Sequence, residues 1–279
     1  MTTLITGASG AVGGAVLRAL HAAGHPLRAS SRRPERLSLP VGVEAVPLDL
    51  ARPDTVAAAF DGVDQVFLYA EPGGIDELIR AAETAGVRHV VLLSSSAVLS
   101  PDAESQPLGR HHLLVERALR RSDLDATLLR PGSFAGNAHG WAHPIRAGGP
   151  VELPYPQARM APIHEADIAD VAVVALTGAA RTGREVTLTG PEALTLGEQV
   201  GQIAARLGRD IPVRELSRAE AERQWSRFMP ADLAASLLDY QAGQVGVTPE
   251  ITDAAQFTGR PARTFGQWVD EHLDAFRPG

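Results

Sequence analysis

The chain of 279 residues contains no cysteine, and it contains no lysine because all 26 of its basic residues are arginines. Without cysteine there can be no disulfide framework, thiol nucleophile, iron–sulfur cluster or cysteine-ligated zinc site. Without lysine the chain can neither form a Schiff base with a carbonyl substrate nor supply the lysine of a P-loop. These two absences exclude many enzyme chemistries before any motif is considered.

Long apolar runs and clustered positive charge are missing as well. No apolar run reaches the roughly 18 positions of a membrane span, and no charged n-region precedes an apolar segment. The net charge is −7 and the arginines are scattered, so no basic face for nucleic acid is indicated. We therefore expect a soluble cytoplasmic protein, a monomer or homodimer, that acts on a small molecule and binds neither nucleic acid nor membrane.

A glycine-rich turn follows the first apolar segment, Leu4 to Thr6, and leads into a helical pattern. In a strand–turn–helix setting, Gly7 permits the turn, Gly10 lets the backbone approach a pyrophosphate, and Gly13 lets the helix lie close to the strand. A second apolar segment follows, as a βαβ unit requires. The motif predicts a dinucleotide site whose contacts are Gly7, Ser9, Gly10, Ala11, Val12 and Gly13.

Strand-like segments alternate with helical patterns along the first two thirds of the chain. This alternation predicts a Rossmann-type doubly wound parallel sheet in an α/β protein, with ligands outside the carboxyl ends of the strands. The predicted strands are 3–6, 26–30, 44–47, 65–70, 89–94, 127–130 and 185–189. The predicted helices between them are 11–23, 54–60, 74–85, 110–121 and 165–177.

The pattern changes twice toward the end of the chain. Residues 136–162 are rich in glycine and proline, and after Pro191 the pattern becomes mainly helical. We expect an NAD(P)-binding domain over 1–190, in which 136–162 contributes to a substrate lobe, and a smaller helical C-terminal substrate-binding cap over 191–279. The later predicted helices are 195–207, 217–224, 230–240 and 264–276. The candidate pocket walls are Trp141, Trp225, Phe228 and Met229, although an aromatic residue at helical spacing is more often part of the core.

Arginines stand where the second strand should end. A carboxylate at this place would bind the ribose 2′-hydroxyl of NAD, whereas an arginine accommodates the 2′-phosphate of NADP. The chain has Arg32 and Arg33 here, and the first carboxylate is Glu35. The cofactor is therefore predicted to be NADP(H). The alternative is that both arginines are solvated loop charges.

The ends of the third and fourth strands carry further cofactor candidates. Asp49 could meet the adenine amine beside Leu50, or it could cap the following helix in competition with Asp54. Tyr69 could stack on the cofactor, or it could be a core aromatic residue. Its neighbours Ala70 and Glu71 complete the candidate segment.

The ends of the fifth and sixth strands supply candidates for the nicotinamide side. Ser94 is a candidate cofactor contact, Ser96 could orient a substrate carbonyl, and His112 could bind ribose or donate a proton. Serines at strand ends also bond to the local backbone, and His112 with Glu116 could be a helix surface pair. After the sixth strand, the backbone of three residues could face the nicotinamide carboxamide. These are Pro131, Ser133 and Phe134.

No metal site is expected. The segment that begins at His164 and Glu165 is not His-Glu-x-x-His. Its acidic residues instead suit the first turn of a helix, so it is interpreted as structural.

Together these motifs resemble the atypical short-chain dehydrogenases, and more narrowly the NmrA-like group with NAD(P)-binding folds. The similarity covers essentially 1–190 and extends loosely to 191–195, where the family's cap usually begins. The residues that carry the resemblance are Gly7-x-Ser9-Gly10-x-Val12-Gly13, Arg32, Asp49, Ser94–Ser96, His112-x-x-x-Glu116, Leu129-Arg130-Pro131 and Asp167-Ile168-Ala169.

The chain departs from the catalytic pattern that this resemblance implies, a serine followed by Tyr-x-x-x-Lys with a glutamate four residues later. With Glu116 as the anchor, His112 takes the lysine position, Leu108 takes the tyrosine position, and Ser96 matches the serine. Tyrosine occurs only at 69, 155 and 240. The usual proton relay therefore cannot form.

The leading hypothesis is an NADPH-dependent reductase of a ketone or quinone, perhaps in secondary metabolism, that works by direct hydride transfer. The proton would come from His112, Ser96, water or the substrate, and quinones and phenolic ketones need the least acid assistance. The alternative is a non-catalytic NADP(H)-sensing regulatory protein. A weaker alternative is an epimerase or dehydratase that retains NAD, which Arg32 and the missing base both disfavour.

Overall fold

The structure is a computed structural model that describes residues 1–178, 185–252 and 254–278. Within these ranges no helix combines the length and apolar character needed to cross a bilayer.

Eleven β-strands are present in the described residues, and seven of them form one sheet. The strands are Thr3–Ile5 (β1), Leu27–Ser31 (β2), Glu44–Pro47 (β3), Gln65–Tyr69 (β4), His89–Leu93 (β5), Asp125–Pro131 (β6), Val151–Leu153 (β7), Arg159–Met160 (β8), Glu185–Leu188 (β9), Leu194–Thr195 (β10) and Val213–Glu215 (β11). The large sheet has the order β3-β2-β1-β4-β5-β6-β9 with every pair parallel. This order reverses direction between β1 and β4, where a Rossmann fold binds its cofactor.

The α-helices of the described residues cover both faces of the sheet and build the region beside it. They are Ala11–Ala22 (α1), Pro53–Ala59 (α2), Ile75–Thr84 (α3), Pro107–Arg121 (α4), Ala142–Arg146 (α5), Glu165–Thr177 (α6), Leu196–Leu207 (α7), Arg218–Trp225 (α8), Ala231–Gly243 (α9), Ala255–Thr258 (α10) and Phe265–His272 (α11).

Alternation along the strands creates one hydrophobic core on each face of the sheet. Successive strand residues point to opposite faces, so Leu4 packs with α2, α3 and α4 while Ile5 packs with α1 and α6. The predicted doubly wound α/β fold is therefore confirmed, and the carboxyl ends of the strands lie along one edge between the two helical layers.

A third hydrophobic core lies outside the sheet. It joins the segment between β6 and α6 to the later helices, and its largest buried side chain is Trp268. Three of the later helices begin with a capping box in which a hydroxyl bonds to an amide three residues on. The pairs are Thr195 with Glu198, Ser217 with Glu220, and Thr264 with Gln267. This spacing fixes where α7, α8 and α11 start.

The segment between α10 and α11 contacts α6. The amide of Arg263 donates to Asp167 Oδ2 at 2.7 Å, and the guanidinium pairs with both Asp167 and Asp170. Phe257 of α10 packs against the core beneath α6. Burial raises the pKa of Asp167, which is only 4% exposed, although Arg263 opposes that rise.

The predicted elements differ from the observed ones mainly in short features. α4 begins at Pro107 rather than at 110, because proline suits the first helical position. The last predicted helix ends at His272 and continues as a 3₁₀ turn over Leu273–Phe276. The strands of the two small sheets were not predicted, since two or three residues are too few to show a period.

Candidate functional site

The glycine-rich turn leaves the start of α1 open to an anion. Gly7 has φ +63°, and its carbonyl accepts from the Gly10 amide at 2.9 Å. A Cβ on Gly13 would lie 2.3 Å from the Gly7 oxygen, so only glycine allows α1 to approach so closely. No side chain caps α1. Its first amides are therefore available to a phosphate.

The predicted cofactor contacts in this turn fall into two groups. Ser9, Gly10 and Ala11 are exposed, as contact with a ligand requires, whereas Val12 and Gly13 are buried against the sheet. Val12 packs with the core beneath α1. Its side chain therefore positions the helix, and only its backbone is available to a ligand.

Arg32 and Arg33 are exposed directly after β2. The Arg33 amide donates to Ser31 Oγ at 3.1 Å, which shapes the turn. Neither guanidinium forms an ion pair within the described part of the chain. Both are therefore free to meet a 2′-phosphate, and binding NADP(H) through them stays a prediction.

The Asp49 carboxylate bonds within its own loop, whereas its backbone amide donates to Thr55 Oγ1 of α2 at 3.0 Å. Its Oδ1 accepts from the Ala51 amide at 3.1 Å. The residue before α2 is Arg52, which makes no side-chain cap, so the capping alternative is wrong. Leu50 lies against Gly74, where a Cβ would be 2.8 Å from the Leu50 Cβ. The loops after β3 and β4 are thus in contact.

Tyr69 stands beside the glycine-rich turn at the end of β4. Its side chain is 57% exposed, and its Cβ lies 3.2 Å from where a Cβ on Gly7 would be. The alternative that Tyr69 is a core aromatic residue is therefore wrong. Its amide donates to Thr6 Oγ1 at 2.7 Å, and Glu71 Oε1 accepts from the Gly73 amide at 3.0 Å. Ala70 is buried, and its carbonyl bonds to His111 Nε2 at 3.0 Å.

A buried carboxylate joins the ends of β5 and β6 to α4. Glu116 is 0% exposed, and its Oε1 accepts from Ser94 Oγ at 2.7 Å and from Arg130 Nε at 2.9 Å. Its Oε2 accepts from Arg130 Nη2 at 2.8 Å and from Arg120 at 3.0 Å. Arg130 also donates to Glu185 at 2.8 Å. The interpretation of Glu116 as a surface residue is wrong, and the Ser94 hydroxyl is already occupied by this network.

The three serines after β5 have different environments. Ser95 Oγ accepts from the Ala97 amide at 3.2 Å and caps a 3₁₀ turn. Ser96 Oγ has no hydrogen-bond partner among the described residues, and it lies 3.8 Å from where a Cβ on Gly132 would be. Ser96 is therefore the serine with a hydroxyl available between the loops after β5 and β6.

His112 has an imidazole that stays uncharged at neutral pH. Burial lowers its pKa to about 4, His111 adds to that shift, and Glu116 opposes it. Its Nδ1 is buried and lacks a hydrogen-bond partner in the described residues. A neutral imidazole can donate or accept a hydrogen bond with a ligand, but it is a poor proton source near pH 7.

The loop after β6 is held by backbone bonds and one carboxylate. The Gly132 amide donates to the Leu188 carbonyl at 2.9 Å, and Ser133 and Ala135 bond to the backbone of Ile163 at 2.8 Å. The Gly136 amide donates to Glu165 Oε1 at 2.8 Å. This contact was not anticipated, because an acidic residue in a first helical turn ordinarily serves the helix dipole.

Residues 7–179, more than half of the chain, match the NAD(P)H-binding family. The (4-alkanoyl-5-oxo-2,5-dihydrofuran-3-yl)methyl phosphate reductase of Streptomyces griseus is 40% identical over 281 residues, which cover 99% of each chain. The NAD(P)H azoreductase of Xenophilus azovorans is 32% identical over 290 residues, which cover 98% of each chain.

A solved structure shows the same fold. The NADPH-dependent quinone oxidoreductase of Escherichia coli, in complex with NADPH, has a TM-score of 0.81 and 24% identity over 98% of this chain and 100% of that one. The family match covers the phosphate turn and most of the sheet, and reductases match along nearly the whole chain. The chain therefore belongs to the NAD(P)H-binding family and is an NAD(P)H-dependent oxidoreductase.

Proposed function

We propose that this oxidoreductase is an NADPH-dependent reductase of quinones and related conjugated carbonyl compounds, and that it needs no acid from the protein. The observation that carries this proposal is the environment of His112. It stands where the family's lysine would be, and its pKa of about 4 keeps it uncharged. Leu108 takes the position of the family's tyrosine, and the chain has no lysine. The substrate must then form a stable anion after it accepts a hydride.

The chemistry named for the Streptomyces relative meets this requirement. Its substrate has a ring double bond conjugated both to the ring carbonyl and to an alkanoyl group. A hydride added at the carbon that bears the methyl phosphate leaves the electron pair on the neighbouring carbon, where both carbonyls stabilise it. A quinone that accepts a hydride likewise becomes a phenolate. Either anion can take its proton from water after the hydride has been transferred.

The chain's own groups have distinct parts in this proposal. The open first turn of α1 binds the pyrophosphate, and Arg32 with Arg33 binds the 2′-phosphate that distinguishes NADPH. Ser96 Oγ donates a hydrogen bond to the carbonyl oxygen that becomes anionic. His112 contacts the nicotinamide ribose or the substrate through a hydrogen bond and stays neutral. We place the substrate between these groups and the lobe built on the third core, and we place the enzyme in the cytoplasm.

The test is NADPH oxidation by the purified chain with a naphthoquinone, a 2-acylbutenolide and cyclohexanone. We expect turnover with the first two and none with the third, because an isolated ketone would give an alkoxide without an acid. We expect kcat to change less than about twofold between pH 6 and pH 8.5, since no acid or base of the protein is required. Ser96→Ala should lower kcat about 100-fold, as removal of one hydrogen-bond donor to a developing anion does.

Two results would contradict the proposal. Reduction of cyclohexanone as fast as of the quinone would show that a protein acid operates. Tight NADPH binding without turnover of any conjugated acceptor would favour the sensor alternative instead.

A further inference from the structure

Glu165, the first residue of α6, is a buried carboxylate. It is 8% exposed, and no basic side chain of the described residues forms an ion pair with it. Its charge is stabilised by the amino end of a helix of 13 residues and by the amide of Gly136. It also counteracts the fall in the pKa of His139 that burial causes. A buried charge held mainly by backbone dipoles is costly to maintain, so its position calls for an explanation.

The loop from Pro131 to Gly136 depends on this carboxylate. Three of its residues bond to the backbone of neighbouring segments. Glu165 provides the remaining anchor, the one at the far end of the loop from β6, through its 2.8 Å bond to Gly136. Without it, the end of the loop nearest the third core would lose its link to α6.

The oxygen that accepts this hydrogen bond also lies close to the Gly136 Cα. A Cβ on Gly136 would lie 2.2 Å from Glu165 Oε1 and 3.2 Å from its carboxyl carbon. The carboxylate therefore occupies the space that any side chain at 136 would need. A side chain at 136 would therefore have to displace the Glu165 carboxylate from its present position.

We propose that Glu165 is a positioning residue for hydride transfer, which acts by holding the Pro131–Gly136 loop against the nicotinamide half of the cofactor. This inference rests on the proposed function. The loop follows β6, in the half of the Rossmann sheet that binds the second nucleotide, and Ser96 lies beside it. A displacement of about 1 Å at this point can cost a hundredfold in rate.

The central experiment compares Glu165→Ala with Glu165→Gln. The alanine variant should lower kcat about 10-fold to 100-fold with a much smaller change in the NADPH dissociation constant, because the phosphate contacts lie on the other half of the sheet. With NADPH deuterated on one face of C4, wild type should transfer the hydride from one face, and the alanine variant should lose that selectivity. Glutamine retains an acceptor for the Gly136 amide and should restore both properties.

Gly136→Ala provides the reciprocal test. Its methyl group displaces the carboxylate, so it should reproduce the kinetic defect of Glu165→Ala. The matched control is Asp170→Asn. Asp170 lies on the same helix as Glu165 and forms ion pairs with Arg263 and Arg260, so this variant weakens those pairs and leaves the loop contact in place. It should lower the melting temperature while leaving kcat and hydride selectivity unchanged.

Wild-type kcat and selectivity in a folded Glu165→Ala variant would overturn the inference, and so would a glutamine variant as defective as the alanine variant. If wild type turns over no acceptor, the proposed function fails and hydrogen exchange tests the inference alone. NADPH should then slow amide exchange over 131–136 in wild type and Glu165→Gln but not in Glu165→Ala. Equal protection in all three would overturn it.

Discussion

The two halves of the sheet edge are built in different ways. After β1, β2 and β3, the candidate cofactor contacts are exposed backbone, solvent-accessible arginines and an aspartate whose carboxylate bonds within its own loop. At the ends of β5 and β6, Ser94 and Arg130 both donate to Glu116, which is fully buried and accepts four hydrogen bonds in all. Backbone amides and exposed arginines suffice to bind phosphates, whereas groups beside a reacting carbon require a rigid support.

This difference predicts that substitutions in the two halves of the sheet edge change different measured quantities. Those beneath β5 and β6 should act on the free energy of unfolding, and those after β1 and β2 should act on cofactor affinity.

The largest effect is expected for Glu116→Ala. It leaves Arg130 buried without its main partner, which typically costs about 3–5 kcal/mol of unfolding free energy. Urea denaturation measures the loss. The matched control is Glu104→Ala, which removes the exposed ion pair with Arg117 of α4. The loss should be far smaller there, because solvent screens the pair. Equal losses would remove the distinction between the buried network and an ordinary surface pair.

His112 should make the protein less stable as the pH falls below 6.5. Its folded pKa of about 4 lies below the unfolded value of 6.5, so the unfolded chain binds a proton first as the pH falls. Stability from this group is complete above pH 6.5 and declines by at most about 3 kcal/mol between pH 6.5 and pH 4. His112→Phe should flatten that part of the curve. Replacing the exposed His143 should leave its shape unchanged, and a wild-type curve without this decline would contradict the prediction.

In the half of the sheet edge that follows β1, β2 and β3, Gly13→Ala should weaken cofactor binding about 30-fold, which corresponds to about 2 kcal/mol. The added methyl group meets backbone rather than a flexible side chain, so α1 must shift away from the turn. Fluorescence titration with NADPH measures the change. Gly201→Ala is the control, because nothing lies within 4 Å of its Cβ position. Helix propensity predicts that it stabilises α7 by about 0.5–1 kcal/mol.

The smallest effect is expected for Arg32→Ala. Loss of one charge-assisted contact with the 2′-phosphate should reduce the preference for NADPH over NADH about tenfold, since tenfold corresponds to about 1.4 kcal/mol. The measurement is kcat/KM with each cofactor. Arg36→Ala removes a nearby exposed arginine and should change neither value. An unchanged preference in Arg32→Ala would favour the interpretation of Arg32 as a solvated loop charge.

Local signals made the fold predictable. Apolar strands, the glycine-rich turn and helix caps are each encoded within a few residues, so the order of elements followed from the sequence. The phosphate side of the site was accessible for the same reason, since Gly7, Gly10 and Gly13 lie in one short motif.

The support of the nicotinamide side was not predictable in this way. Glu116 and Arg130 are 14 positions apart, and only the pairing of strands with α4 brings them together beneath Ser94. On sequence alone, a glutamate at helical spacing from His112 resembles a surface residue. The bond between Gly136 and Glu165 likewise joins the segment after β6 to the start of α6. A glycine among glycines and prolines gives no sign that it donates to a carboxylate.

The contact between Asp167 and Arg263 also constrains how the protein folds during synthesis. The two residues are 96 positions apart, so the arginine that satisfies this buried carboxylate is translated long after α6. Contacts of such sequence separation form late. A chain that has formed the sheet therefore still lacks the partner of Asp167, and burial of this carboxylate with its counter-charge waits for the segment that carries Arg263.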